Sequence, residues 1–149
     1  MPAPLIRPAV AADRDRLLEI QRASPGAAQW VESDYDRLLS GEGAPRCLAA
    51  ESGGKVAGFL VYQRLAPEEA ELLNIAVEPC QRLKGVGRAL LASLLDQVGG
   101  EVFLEVRSSN TSAQGFYERS GFCEAGRRPS YYQNPLEDAI LMRWTSSRR

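Results

Sequence analysis

The sequence predicts an α/β domain of the α+β kind, in which a mixed, mostly antiparallel seven-stranded sheet carries helices on both faces. Three observations lead to this fold class. The elements follow the order strand, two helices, three strands, helix, strand, helix and two strands. Short connections between the three central strands are typical of a meander. The two strand–helix units that follow predict a parallel pair near the centre of the sheet.

The N-terminal part is predicted to form one strand and two helices. Residues 5–8 are the strand, and residues 12–23 are a helix that ends at the Ser-Pro-Gly segment 24–26. The helical spacing of this segment comes from the apolar residues Leu17, Leu18 and Ile20. A second, shorter helix is expected from about Trp30 to Leu39. The three strands of the meander follow at residues 46–52, 55–64 and 69–77.

The second half alternates helices and strands. Residues 86–98 are predicted to form the longest helix, with an apolar face and a glycine pair at its end. A strand at 101–106 leads to a helix at 110–120, for which Ser109 or Asn110 is the expected N-cap. Two strands and the loop between them close the chain, at residues 122–128, 137–144 and 129–136.

Composition indicates one soluble globular domain over residues 1–149 and excludes several kinds of chemistry. A net charge of −1 gives no general reason to expect binding to nucleic acid or a membrane surface. No segment has a secretory or membrane-spanning pattern, so we expect a cytoplasmic protein. The chain has no histidine and three widely spaced cysteines, which argues against His-dependent nucleophilic catalysis, a zinc site and a disulfide framework.

A basic, glycine-broken loop lies between the third meander strand and the long helix. Gly85 and Gly87 open the helix, and Arg82, Lys84 and Arg88 surround them. The first N–H groups of a helix lack intrahelical acceptors, so glycines here let a phosphate reach the backbone. A solvated basic turn explains the loop equally well when it is taken alone, since short glycine motifs are common.

Several motifs in order favour the phosphate site. The segment NIAVEPCQRLKGVGRALL, residues 74–91, resembles the acetyl-CoA signature Gln/Arg-x-x-Gly-x-Gly/Ala of the GNAT acetyltransferases at residues 82–87. Glu-Val-Arg-x-x-Asn at 105–110 and Phe-Tyr-x-x-x-Gly-Phe at 116–122 resemble the RimI branch, the bacterial ribosomal-protein-alanine N-acetyltransferases. The resemblance covers nearly the whole chain. It implies the GNAT fold, with a splayed parallel pair of strands at the cofactor site.

The resemblance implies acetyl-CoA as the acetyl donor, with no metal, and assigns residues to it. Ile75, Ala76 and Val77 would line the acetyl end, where the N–H of Val77 would polarise the thioester carbonyl. Asn110 and Tyr117 would contact the cofactor toward its sulfur. The pyrophosphate would bind the loop residues Arg82, Leu83, Lys84, Gly85, Val86, Gly87 and Arg88.

Glu105 and Tyr117 are the expected catalytic residues. Glu105 is opposite in phase to Leu104 and Val106, so its carboxylate can face the cleft and take the proton of the amine through a water. Spacing alone favours a strand-end ion pair with Arg107, and the family resemblance reverses that preference. Tyr117 would protonate the leaving thiolate; without the motif, an aromatic core contact is the stronger interpretation.

Trp30, Tyr131 and Tyr132 are the expected acceptor-binding residues. They would form aromatic walls around an extended peptide that begins with a small residue such as alanine. Trp30 is equally consistent with packing at the rim. The chain departs from the family pattern on this side, because four residues separate Pro25 from Trp30 and Pro-Ser at 129–130 precedes the tyrosines.

The expected function is transfer of the acetyl group to the N-terminal α-amine of a protein, such as the N-terminal alanine of a ribosomal protein. An α-amine has a pKa of about 8 and lysine one of about 10.4, so an N-terminal acceptor needs only modest base catalysis. Two alternatives stay open: acetylation of a small amine by an enzyme of the same family, and a non-catalytic acyl-CoA-binding module. The sequence does not indicate an oligomeric state.

Overall fold

The computed structural model of the chain describes residues 3–24, 30–41, 45–82 and 84–147. Seven strands form one sheet in this part of the chain: β1 (Leu5–Pro8), β2 (Arg46–Ser52), β3 (Lys55–Ala66), β4 (Glu69–Val77), β5 (Glu101–Arg107), β6 (Cys123–Tyr132) and β7 (Glu137–Thr145). Their spatial order is β1-β2-β3-β4-β5-β7-β6. Neighbouring strands are antiparallel except β4 and β5, which are parallel. The predicted fold class is confirmed.

Four α-helices lie among the described residues: α1 (Arg14–Arg22), α2 (Glu32–Leu39), α3 (Val86–Val98) and α4 (Thr111–Arg119). α3 has the predicted bounds because left-handed glycines stand at its two ends, Gly85 with φ +84° and Gly99 with φ +72°. Asn110, rather than Ser109, caps α4 by accepting a hydrogen bond from the N–H of Ala113. No described helix has both the length and the apolar character needed to cross a bilayer.

Several predicted boundaries differ from the structure by one or two residues, and the end of β6 differs by four. The first helix begins at Arg14 because Ala11–Asp13 forms a 3-10 turn, which the Asp13 carboxylate fixes by accepting the N–H of Val10 at 2.8 Å. Residues 129–132, predicted as loop, extend β6, since Tyr132 pairs with β7. Pairing across the β6–β7 hairpin decides the second boundary, and the proline and serine at 129–130 give no strand signal for it.

Helices cover both faces of the sheet, as predicted. On one face, called the α1 face here, α1 and α2 bury a core that includes Leu17, Ile20, Tyr35, Phe59 and Val61. On the other, called the α3 face, α3 and α4 bury a core that includes Leu60, Leu90, Leu94, Leu104 and Tyr117. The side chains of β4 change faces at a β-bulge around Leu73, which has no partner on β3.

The parallel strands β4 and β5 pair over only three residues. Residues 69–71 of β4 pair with residues 101–103 of β5, and the pairing ends there. Beyond this point β4 continues to Val77 along β3, whereas β5 continues to Arg107 along β7. The two strands therefore open into a V, called the cleft below, which is the splayed pair that the family resemblance implies.

Candidate active site

The turn into α3 presents backbone donors that the helix does not use. The first helical hydrogen bond runs from the N–H of Ala89 to the carbonyl of Gly85 at 3.0 Å. The N–H groups of Val86, Gly87 and Arg88 therefore have no intrahelical acceptor. A Cβ on Gly85 would have no atom within 4 Å, so the turn is open. No side chain at Gly85 obstructs an anion that approaches these amides, and the helix dipole favours an anion there.

The basic side chains of this loop differ in their surroundings. Lys84 and Arg88 are exposed beside the first turn of α3. The guanidinium of Arg82 instead donates to the carbonyl of Val77 at 3.2 Å and to the C-cap carbonyl of α1, also at 3.2 Å. Arg82 thus links the end of β4 to the end of α1, and its role toward the pyrophosphate stays a prediction. Leu83 lies outside the described residues.

The edge of β4 that faces the cleft carries N–H groups that β5 does not use. Glu78 donates its N–H to the carbonyl of Ala57 at 2.8 Å, so the backbone at this position points toward β3. N–H directions alternate along an antiparallel pair, so the N–H groups of Val77 and Ile75 point away from β3 and into the cleft. The N–H of Ala76 points toward β3. Val77 is therefore on the edge of β4 that faces the cleft, and its role as a donor stays a prediction.

Glu105 extends from β5 on the α1 face. Its neighbours Leu104 and Val106 belong to the core of the α3 face, so the carboxylate has the predicted phase. The side chain is 14% exposed, and its Oε1 lies 3.7 Å from the Nε of Arg128. Its Oε2 is buried and has no hydrogen-bond partner among the described residues. The ion pair with Arg107 that spacing alone favours does not form.

Arg107 instead holds the turn between β6 and β7. Its guanidinium pairs with Glu137 at 3.2 Å and donates to the carbonyls of Gln133 and Pro135, each at 3.2 Å. It also stacks over the ring of Tyr132, 4.4 Å from the ring centre. These contacts fix the position of Tyr132 relative to the end of β5.

Tyr117 lies on α4 and belongs to the core of the α3 face. Its ring packs between Phe116 and Phe122, with ring centres 5.3 and 5.7 Å away. Burial raises the pKa of its hydroxyl, and the nearby Tyr132 adds to the shift. The hydroxyl is therefore protonated at neutral pH, which a proton donor requires. Tyr117 is both a core aromatic and a candidate acid.

A cavity of about 180 Å³ opens beside Glu105. Its lining residues are Glu71, Leu72, Leu73, Glu105, Tyr131 and Tyr132. Two predicted acceptor residues thus meet the predicted base. Glu71 is a residue that sequence reasoning missed, because an acid alternating with Ala70 and Leu72 is typical of any solvent-facing strand position.

Both tyrosines reach this cavity because β6 is irregular before its end. Residues 129–131 of β6 lie opposite the single residue Asp138 of β7. Among them, Ser130 has φ +52° and donates its N–H to the Asp138 carboxylate at 2.9 Å. In a regular strand, consecutive side chains would point to opposite faces. Burial, followed by the charge of Glu105, raises the pKa of Tyr132 to about 12. Glu105 also raises the pKa of Tyr131.

Two other predicted site residues have structural partners. The ring of Trp30 packs 5.7 Å from that of Tyr35, and its backbone N–H and carbonyl bond the side-chain amide of Gln21. Trp30 does not line the cavity, and the preceding residues 25–29 lie outside the described residues. Asn110 uses its side-chain oxygen to cap α4. The substrate and cofactor roles of Trp30 and Asn110 stay predictions. In the described ranges, no three His, Cys, Asp or Glu side chains are grouped to hold a metal.

Replacing Arg88 tests the anion site. Arg88→Glu is expected to raise the dissociation constant for CoA by roughly tenfold or more, since it places a negative charge beside the pyrophosphate. Calorimetric titration with CoA measures this, and Arg37→Glu, an exposed charge reversal on α2, is the control. An unchanged dissociation constant would remove Arg88 from the site.

Comparison with known proteins identifies the family. The model of the acetyltransferase (GNAT) family matches residues 14–122. The N-alpha-acetyltransferase RimI of Mycobacterium tuberculosis is 36% identical over 137 residues, which cover 89% of this chain and 86% of that protein. An uncharacterized protein of Mycobacterium leprae, ML0378, is 38% identical over 138 residues; the match covers 89% of this chain but only 38% of the length of that relative.

A solved structure agrees with the same family. The crystal structure of the ribosomal-protein-S18-alanine N-acetyltransferase from Escherichia coli superposes with a TM-score of 0.82 at 32% identity, covering 98% of this chain and 96% of that one. The family match includes the cleft, the turn into α3, Glu105 and Tyr117, whereas β6 and β7 lie beyond it. The chain belongs to the acetyltransferase (GNAT) family.

Proposed function

We propose that this protein transfers the acetyl group of acetyl-CoA to the N-terminal α-amine of a protein in the cytoplasm, with the N-terminal alanine of a ribosomal protein as the leading acceptor. One observation carries the proposal: Glu105, on the strand β5 that borders the cleft, extends from the α1 face of the sheet, whereas Tyr117 packs against the α3 face. A thioester held in the cleft can be attacked from the α1 face while its sulfur is protonated from the α3 face. The names of the relatives support an N-terminal acceptor.

The backbone around the cleft fits acetyl-CoA. The three unused N–H groups at the start of α3 would bind the pyrophosphate, with added charge from Lys84 and Arg88. The N–H of Val77, at the edge of the cleft, would stabilise the negative charge that develops on the carbonyl oxygen. Bound acetyl-CoA supplies the activated acetyl group as a thioester.

The two side chains balance the protons of the reaction. The amine nitrogen bonds to the carbonyl carbon, and its proton passes to Glu105 through a water. The carbon–sulfur bond then breaks, and Tyr117 donates its hydroxyl proton to the departing thiolate. Proton transfer from Glu105 to Tyr117 through solvent restores both groups. Each of these acid–base contributions is worth roughly 10²- to 10⁴-fold in rate.

The test uses two peptides of one sequence, one with a free N-terminal alanine and one with that amine blocked. A third sample contains a small amine such as a polyamine or an amino acid. Because Cys80 and Cys123 are exposed and would react with thiol reagents, acetylated product is measured by mass spectrometry.

The free peptide, the blocked peptide and the small amine together distinguish the three candidate functions. The proposal predicts turnover of the free peptide and none of the blocked one. Turnover of the small amine alone would replace the proposal with small-amine acetylation. Binding of acetyl-CoA without turnover of any acceptor would indicate a non-catalytic module.

A further inference from the structure

The cavity beside Glu105 contains a second carboxylate. Glu71 is the last residue of β4 that pairs with β5, and its partner is Phe103. Paired residues of neighbouring strands share a face of the sheet, and so do residues two apart on one strand. Glu71 and Glu105 are therefore on the same face, at the point where the cleft begins to open, and both line the cavity.

The charges around this cavity sum to −1. Glu71 and Glu105 contribute −2, and Arg128, whose Nε is 3.7 Å from Glu105, contributes +1. Arg128 also stacks over Tyr131, 5.6 Å from the ring centre, which keeps its guanidinium beside the cavity. Arg107 adds no net charge here because it is paired with Glu137 at 3.2 Å.

The negative charges of the two carboxylates repel one another. Burial raises the pKa of Glu71 first, the charge of Glu105 raises it further, and Arg128 opposes both. Like charges in a partly buried cavity are unfavourable until a cation enters. Among the described residues Arg128 forms an ion pair with Glu105 and Glu71 forms none, so Arg128 offsets the charge of Glu71 only at a distance.

The acceptor of an N-acetyltransferase arrives as a cation. An α-amine with a pKa of about 8 is roughly nine-tenths protonated at pH 7. It must first bind as an ammonium and lose one proton to solvent to become the nucleophile, and its second proton passes to Glu105 as the nitrogen bonds to the carbonyl carbon. A carboxylate already paired with an arginine attracts a second cation only weakly, so binding requires another negative group.

We propose that Glu71 is an acceptor-binding residue, which holds the protonated amine in the cavity before Glu105 takes its proton. The proposal rests on the N-acetyltransferase function stated above. The two carboxylates then have different roles: Glu71 binds the cationic acceptor, and Glu105 removes its proton. Loss of Glu71 should thus raise the KM for the amine, whereas loss of Glu105 should lower kcat.

The test compares steady-state kinetics of Glu71→Gln with Glu69→Gln. Glu69 is two residues earlier on the same strand and face, and it does not line the cavity. Glu71→Gln is expected to raise the KM for the free-alanine peptide by roughly tenfold, with kcat changed by less than about threefold. The KM for acetyl-CoA should stay unchanged in both variants. Salt should weaken acceptor binding in the wild type and much less in Glu71→Gln.

Glu71→Asp keeps the charge and is expected to restore most of the acceptor affinity, which a structural role of the longer side chain would not explain. The inference is overturned if Glu71→Gln leaves the KM for the amine within about twofold of the wild-type value, or if Glu69→Gln raises it equally. If the wild-type enzyme acetylates only a small amine, the proposed acceptor fails, and the same comparison with that amine still tests Glu71.

Discussion

Glu105→Gln is expected to lower kcat by roughly 10²- to 10⁴-fold while leaving the affinity for acetyl-CoA nearly unchanged. The substitution keeps the shape of the side chain but removes the carboxylate that is proposed to accept the amine proton. CoA affinity should survive because Glu105 lies on the α1 face, away from the turn into α3. Initial rates with the free-alanine peptide and calorimetric titration with CoA measure the two effects.

The matched control is Glu101→Gln, on the same strand and the same face four residues earlier. Glu101 is partly exposed, and its nearest ion-pair partner is Arg143 at 3.9 Å, outside the cavity. It should retain wild-type kcat. Full activity of Glu105→Gln would contradict the assignment of the base, whatever the control shows.

Tyr117→Phe is expected to lower kcat by a similar factor, roughly 10²- to 10⁴-fold. The ring stays in place between Phe116 and Phe122, so the fold should be preserved and only the hydroxyl is lost. Tyr62→Phe is the control, since Tyr62 is a buried tyrosine of the same core whose hydroxyl bonds Gln97 at 3.3 Å. Thermal unfolding of both variants separates loss of stability from loss of rate.

A second measurement isolates the leaving-group step. A thioester of a more acidic thiol needs less protonation as it departs, so the defect of Tyr117→Phe should shrink with such a donor. The rate defect of Glu105→Gln should stay the same with this donor, because Glu105 is proposed to act on the amine and not on the leaving thiolate. Equal rates for wild type and Tyr117→Phe with acetyl-CoA would remove Tyr117 as the acid.

The best sequence predictions concern elements with strong local signals. The bounds of α3 are right because glycines that adopt positive φ stand at both ends, and they follow from backbone sterics alone. β5 is predicted to within one residue, and in the structure its side chains alternate between buried and half-buried positions. The prediction fails in residues 129–132, where pairing with β7 forms a strand around a proline and a serine of positive φ.

Partners of charged side chains were the least predictable feature. Glu105 and Arg107 are two residues apart on the same face of β5, which suggests that they form an ion pair. Arg107 instead binds the β6–β7 turn, and Arg128, from β6, approaches Glu105. Glu71 gives no sequence signal, because its proximity to Glu105 depends on the register of a parallel pair. Such contacts join segments far apart in the chain, and side-chain spacing within one strand cannot specify them.

Short segments of the sequence specify the fold class and the family and predict acetyl-CoA as the donor, because the glycine turn, the helix that follows it and the ordered motifs are local features. Contacts between strands specify the cavity beside Glu105. The cavity exists because β4 and β5 separate after three pairs, β6 is irregular, and Arg107 holds the β6–β7 turn. Backbone sterics act within a few residues, whereas charge and shape around a cavity are set by whichever strands meet there.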